Sequence, residues 1–168
     1  MNANTQVPTP INEPVRLYEP GAHETVALVN EFHAMRASKR EIPLVINGIK
    51  RKGHGKPFNI VEPHNHKHVL AVSQGASETD VVDAIAAAKA AAPAWRDLPF
   101  DERAAVFLKA ADLLAGPWRN RMLAATMLGQ SKTCYQAEID GACELIDFWR
   151  FNVYFAHKIM SDQPISSP

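Results

Sequence analysis

The chain has 168 residues, 46% of them apolar, and its 18 Lys and Arg balance 18 Asp and Glu to a formal net charge of zero. A chain of this length can bury roughly two-thirds of the surface its unfolded form exposes, so one soluble domain without disulfide staples is expected; zero net charge argues against a general nucleic-acid binder, which must set a basic field against phosphate. The most apolar window, Val81 to Trp95, carries Asp83, Lys89 and Pro93 and falls short of the roughly 20 apolar residues a membrane span needs, and two cysteines point to a reducing, cytoplasmic setting.

Residues 1–22 contain Pro8, Pro10, Pro14 and Pro20, each of which fixes φ and removes a donor, so an extended arm is predicted there; its start has neither the basic residues nor the apolar run of a signal peptide. From Glu24 to Ala37 the spacing of Leu28, Val29, Phe32 and Met35 predicts a short amphipathic helix. Two runs rich in Ile, Val and Phe follow, Ile42 to Ile46 and Pro57 to Val61, separated by the Gly- and Lys-rich stretch Asn47 to Lys56. They predict a β-hairpin with a long basic turn, and Val69 to Val72 a third short strand after a turn at Pro63 to Lys67. The helix and hairpin define a unit at 23–76.

The remainder, 77–168, is alanine-rich and predicted to be helical. Ser77 and Asp80 can cap a helix from Glu78 to Trp95, which Pro93 bends or ends. Pro99, Asp101 and Glu102 open a second helix that Gly116–Pro117 closes, because proline suits a first turn and acids complement the positive end of the dipole. A third helix is predicted from Trp118 to Leu128, stopping at Gly129, and a long fourth from Tyr135 to Met160.

That fourth helix is apolar on two adjoining stripes, Ile139, Cys143, Ile146, Trp149, Val153, Ala156 and Met160 beside Phe148, Phe151, Phe155 and Ile159. A single stripe suffices to dock a helix on a small bundle, so the pattern suits a helix inside a larger body. The polar strip left over is Asp140, Glu144, Asp147, Arg150 or Phe151, and Tyr154. Like charges at this spacing repel by a few tenths of a kcal/mol per pair. Arg150 is placed to serve Asp147, whereas Glu144 has no cation three or four residues away. Two readings stand for Glu144: part of a solvated strip, or the border of a ligand site.

Other constellations are weaker. His64, His66 and His68 alternate as a strand would place them on one face, yet the same pattern describes a polar turn, and no CxxC or HExxH supports a metal. Cys134 and Cys143, nine residues apart, are separated on an ideal helix by about 900° of rotation and roughly 13 Å of rise, so they cannot bridge there. Neither has a neighbouring base to activate it. Gly53 and Gly55 lack the third glycine of a dinucleotide fingerprint, since Phe58 stands in its place, and the basic run Lys50, Arg51, Lys52, Lys56 reads as a solvated turn.

Longer stretches are more telling. Asn-Glu-Pro-Val at 12–15, Pro-His-Asn-His at 63–66, LPFDERAAVFLKAADLLAGPWR at 98–119, MLGQSKT at 127–133, YQAEID at 135–140, ELIDFWRFN at 144–152 and QPISSP at 163–168 closely resemble the N-terminal part of the L-glutamate γ-semialdehyde dehydrogenases. These are also called 1-pyrroline-5-carboxylate dehydrogenases and belong to the aldehyde dehydrogenase superfamily. The resemblance implies an α/β fold of which this segment is mostly helical with a small N-terminal β-hairpin, the Rossmann core lying outside it. It implies NAD-dependent oxidation of a small aldehyde, L-glutamate γ-semialdehyde, to glutamate by an enzyme that is a homo-oligomer when complete. A cysteine thiolate attacks the aldehyde and the hydride goes to NAD. The family's nucleophile, general base and cofactor segment all follow the QPIS segment, so the resemblance implies no catalytic, cofactor-binding or metal-binding residue here. It carries over one site residue: Glu144, the glutamate of ELIDF, matches the residue that lines the aldehyde site and limits substrate length. Cys134 and Gly141 depart from the pattern, and Gly141 costs up to about 1 kcal/mol within a helix. The expectation is an N-terminal portion inactive alone; the competing one is a helical interaction module, or half of a split enzyme that binds a C-terminal partner chain.

Overall fold

A computed structural model describes residues 6–162 and 164–166, so the QPISSP stretch lies partly outside the described residues. The extended arm leads into α1 (His23–Ala37), then five strands, β1 (Arg40–Ile42), β2 (Leu44–Ile46), β3 (Ile49–Arg51), β4 (Pro57–Glu62) and β5 (Asn65–Gln74). The helices α2 (Glu78–Asp97), α3 (Phe100–Ala115) and α4 (Arg119–Gln130) follow, and then one continuous helical path made of α5 (Cys134–Gln136), a π-helical segment (Ala137–Cys143) and α6 (Glu144–Ser161).

The strand pairing corrects the predicted hairpin. Ile42–Ile46 does not pair with Pro57–Val61. Pro43, which has no N–H to give, splits the first run, so β1 joins β5 in parallel while β2 turns back on β3. The β2–β3 turn is Asn47–Gly48, both at positive φ (52° and 74°), the backbone a two-residue hairpin turn requires. Pro57–Glu62 pairs antiparallel with β5, so the three-stranded sheet runs β1-β5-β4. The third strand is ten residues long, not four, because the turn before it narrows to Pro63–His64.

The helix boundaries agree more closely. Ser77 Oγ accepts from Asp80 N–H and the Asp80 carboxylate accepts from Ser77 N–H, the reciprocal cap that fixes the start of α2. Pro93 neither ends nor breaks α2, which continues to Asp97. Gly129 does not stop α4; the chain leaves the helix at Ser131, held at a left-handed φ of 55°. The long fourth helix is not uniformly α-helical: Glu144 N–H bonds to Ile139 O, five residues back, closing a wide π turn.

The core lies where α1, α3, α4 and the π segment meet, around Leu28, Ala111, Leu114, Leu123, Ala124 and Ile146. Alanines at the helix contacts let backbones approach closely, while Leu123 and Ile146 each remove enough apolar surface to contribute roughly 1.5–3 kcal/mol. Gly141 serves the same packing. A Cβ there would lie 2.9 Å from Thr126 Oγ1 on α4, so glycine lets two helices touch and does not merely loosen the turn before Glu144. The two stripes of α6 part company: Ile146 and Val153 are buried, while Phe148, Phe155 and Ile159 stay 60%, 49% and 68% exposed.

Candidate functional site

Glu144 begins α6 at the mouth of the π turn, its side chain exposed and, among the described residues, without a hydrogen bond or ion pair. It lines a cavity of about 280 Å³ together with Asn12, Asp147, Phe148 and Phe151. The neighbouring acids of the predicted strip are differently placed. Asp140 is paired with Lys132 at 2.6 Å. Asp147 is not served by Arg150; it accepts from Asn12 Nδ2 and from Glu13 N–H, both at 2.7 Å. Arg150 turns instead to Glu13 at 2.8 Å, and Tyr154 packs edge-on against Phe155. Glu144 is thus the acid of the strip that has no side-chain partner among the described residues.

Behind this cavity lies a buried ion network that sequence spacing does not disclose. Arg119, 1% exposed, donates Nη1–H to Glu13 at 2.6 Å, Nη2–H to Glu138 and to the Pro14 carbonyl, and Nε–H to Glu138 at 3.1 Å. Glu138, fully buried, also accepts from Arg16 N–H at 2.8 Å and from Tyr18 Oη–H at 2.9 Å. Burial would raise the Glu138 pKa, but the Arg119 guanidinium and these donors outweigh it and hold the carboxyl below its ordinary value. Tyr18 moves the other way, its phenol raised by burial and by the Glu138 charge. The arm predicted as an extended segment is therefore strapped onto α4, the π segment and α6 by its residues 12–18.

Cys143 belongs to the ion network: its thiol donates to Glu138 at 3.7 Å and accepts from Arg119 at 3.3 Å. Cys143 is buried beside Glu138 and Arg119, and burial, reinforced by the Glu138 charge, pushes its thiol up to about 11. Cys134 is half-buried and also raised by burial. Both are free thiols, and protonated thiols are poor nucleophiles.

The remaining motifs serve the scaffold. His64 Nδ1 meets Ser131 Oγ at 2.7 Å, and His68 Nε2 meets the Arg36 carbonyl at 3.0 Å. Both flank the buried Glu62, which Arg36 pairs at 2.7 Å; that hydrogen bond lowers the Glu62 pKa against the effect of burial. His66 is exposed on β5. The basic run is not simply solvated. Arg51 reaches Asp80 at 3.1 Å and Asp83 at 2.9 Å, and Lys52 reaches Glu41 at 2.9 Å.

These residues do not form a site for NAD. Gly53 and Gly55 face the backbone of Gly75, where a Cβ on Gly55 would lie 2.6 Å from the carbonyl oxygen; they open no helix and cradle no phosphate. Among the described residues the three-stranded sheet has one parallel pair, and the turn from β5 into α2, Gly75–Ala76–Ser77, carries a single glycine where a dinucleotide fingerprint needs three.

Comparison with known proteins follows the same lines. The sequence model of the aldehyde dehydrogenase family matches residues 49–167. The mitochondrial delta-1-pyrroline-5-carboxylate dehydrogenase of Mus musculus is 42% identical over 157 residues, 94% of this chain and 28% of its own length. The Agaricus bisporus delta-1-pyrroline-5-carboxylate dehydrogenase is 39% identical over 164 residues, 96% of this chain and 30% of its own. The crystal structure of the Mycobacterium tuberculosis delta-pyrroline-5-carboxylate dehydrogenase, which has also been solved bound with NAD, superposes with a TM-score of 0.96 at 54% identity, covering 100% of this chain and 31% of that one. The chain thus spans about 30% of the length of these relatives, corresponding to their N-terminal portion. With a fold and a sequence that coincide over this whole span, the chain belongs to the aldehyde dehydrogenase family.

Proposed function

We propose that residues 1–168 are the N-terminal portion of an NAD-dependent dehydrogenase that oxidises L-glutamate γ-semialdehyde, the open form of 1-pyrroline-5-carboxylate, to L-glutamate, and that these residues alone do not turn it over. The observation that carries the reading is the match along the whole chain to 1-pyrroline-5-carboxylate dehydrogenase at 54% identity. Inactivity is supported by the two thiols, both raised by burial and so held in the protonated form. Glu144 lines the aldehyde site. A free carboxylate at the rim of a cavity is costly to desolvate, so it shapes the space and limits what enters without making or breaking bonds.

The test compares NADH formation from glutamate semialdehyde by the purified 168-residue chain with that by a fusion, in which the C-terminal remainder of the Mycobacterium tuberculosis enzyme follows Pro168. The chain alone is expected to be silent and the fusion active. Glu144→Ala in the fusion is expected to relax discrimination between aldehydes of different length. Turnover by the chain alone that Glu144→Ala abolishes would overturn the reading.

One observation favours a second form of it. Phe148 and Phe155 remain about half exposed, and Phe148 lines an apolar groove of about 370 Å³ with Trp95, Phe107 and Trp149. Half of a split enzyme would present such a face to a C-terminal partner chain. Recovery of NADH formation on mixing the two separately purified parts supports that form.

A further inference from the structure

We infer that the cavity between the arm, α1 and α5 is a binding site in its own right, and that it takes an aliphatic monocarboxylate, a medium-chain fatty acid in kind, whose carboxylate meets Arg16. It shares no lining residue with the cavity at Glu144.

The cavity encloses about 440 Å³, within the range of roughly 300–1,000 Å³ usual for small-molecule sites. Thr25, Leu28, Val29, Phe32 and His33 follow the 3,4 spacing that puts them on one face of α1. Leu17 and Tyr18 of the arm and Met127 of α4 complete the walls, which are largely apolar. They are held in place without a ligand. Leu28 belongs to the core, Thr25 Oγ1–H donates to the Glu19 carbonyl at 2.7 Å, and Tyr18 Oη–H donates to Glu138 at 2.9 Å. A pocket formed in advance loses little freedom when it is filled.

Charge selects the occupant. No Asp or Glu lines the cavity, and its one permanent charge is that of Arg16. Arg16 is anchored by its backbone, whose N–H donates to Glu138 at 2.8 Å, while its half-buried guanidinium has no acid partner among the described residues. Other arginines of the fold are answered within it: Arg36, Arg119 and Arg150 each meet a carboxylate, at 2.7, 2.6 and 2.8 Å. Tyr18 and Cys134, both raised by burial, stay protonated and add no negative charge to the walls. The space therefore combines an unanswered guanidinium with an apolar lining. A guanidinium pairs with a carboxylate through two parallel hydrogen bonds, and the lining removes a hydrocarbon tail from water. An alkylamine of the same length is repelled by Arg16, and an alcohol keeps the tail contacts but lacks the charge.

The experiment titrates octanoate, octanol and octylamine into the 168-residue chain and into the fusion described above, with binding read by isothermal calorimetry. Octanoate is expected to bind both proteins at one site per chain, about tenfold or more tightly than octanol, and octylamine is expected not to bind. Arg16→Gln is expected to weaken octanoate by about tenfold while leaving octanol within about twofold. Val29→Trp, which fills the cavity from a half-exposed position on α1, is expected to abolish binding of both. Glutamate is expected not to displace octanoate, and Glu144→Ala to leave its binding unchanged. Absence of saturable octanoate binding, an Arg16→Gln loss shared equally by octanol, or displacement by glutamate would overturn the inference. Binding to the 168-residue chain but not to the fusion would overturn it as well, since the C-terminal remainder is then what fills the cavity.

Discussion

Asp80 is an acid with 1% of its surface exposed at the start of α2, and what tolerates its charge there is a set of donors from two separate stretches. The His54 and Ser77 N–H groups donate to it at 3.0 and 2.8 Å, Ser77 Oγ–H does so at 2.9 Å, and Arg51 lies 3.1 Å away. These backbone bonds, first from His54 and then from Ser77, hold its carboxyl far below the usual range. A depressed folded value means a contribution to stability that is fully present above the unfolded pKa of about 4 and is lost as pH falls below it toward the folded value. Asp80→Asn is accordingly expected to lower the urea midpoint near neutral pH, with the gap to the parent chain narrowing as denaturation is repeated at successively lower pH below 4. A constant gap across that range would show that the ionised form is not what stabilises. Half of this site was legible: Ser77 and Asp80 three residues apart announce a cap. That the same carboxylate anchors the 51–54 loop was not, because its partners lie 26 to 29 residues away.

The π segment is the least legible element. A five-residue backbone bond leaves no mark on composition, and a single inserted turn shifts the phase of a helix without ending it. Its trace is Gly141, whose reason lies in the neighbouring helix. Thr126, whose Oγ1–H donates to the Met122 carbonyl at 2.9 Å, occupies the space a side chain would need. By helix propensity alone Gly141→Ala stabilises; by packing it destabilises, and packing dominates here, with an expected loss of about 1–3 kcal/mol. Thr126→Ala in the same chain is expected to recover most of that loss, as measured by urea denaturation of the single and double variants. The β2–β3 hairpin teaches the converse lesson. Asn47–Gly48 is an explicit turn signal inside the stretch read as one long basic turn, and with Pro43 breaking the run before it the chain folds back there on β3 instead of reaching Pro57–Val61.

Across the whole molecule, long-range polar ties join what the apolar core does not. Arg119 links the arm at Glu13 and Pro14 to Glu138 in the π segment, spanning 106 residues in one direction and 19 in the other. Arg119→Met is expected to cost about 3–5 kcal/mol in a denaturation experiment because it strands a fully buried Glu138, whereas Arg119→Met with Glu138→Leu is expected to recover a large part. The signal for this network was present in a form that spacing rules pass over: Arg119 shares the buried face of α4 with Leu123, and Glu138 that of the π segment with Ala142, so each is a charge where the pattern asks for an apolar residue. The family resemblance singled out Asn-Glu-Pro-Val at 12–15 without saying what those residues do.

The strap has a further consequence in time. Asn12 and Glu13 are made before Asp147 and Arg150, which hold them and follow 134 to 137 residues later. At synthesis rates of roughly 5–20 residues per second, the arm waits on the order of ten seconds for its seat. During that interval α1 and the sheet can form around local contacts, but the wall that Asn12 contributes to the Glu144 cavity cannot. On the ribosome the cavity is therefore completed only once α6 is made, by arm residues translated about 135 residues before it.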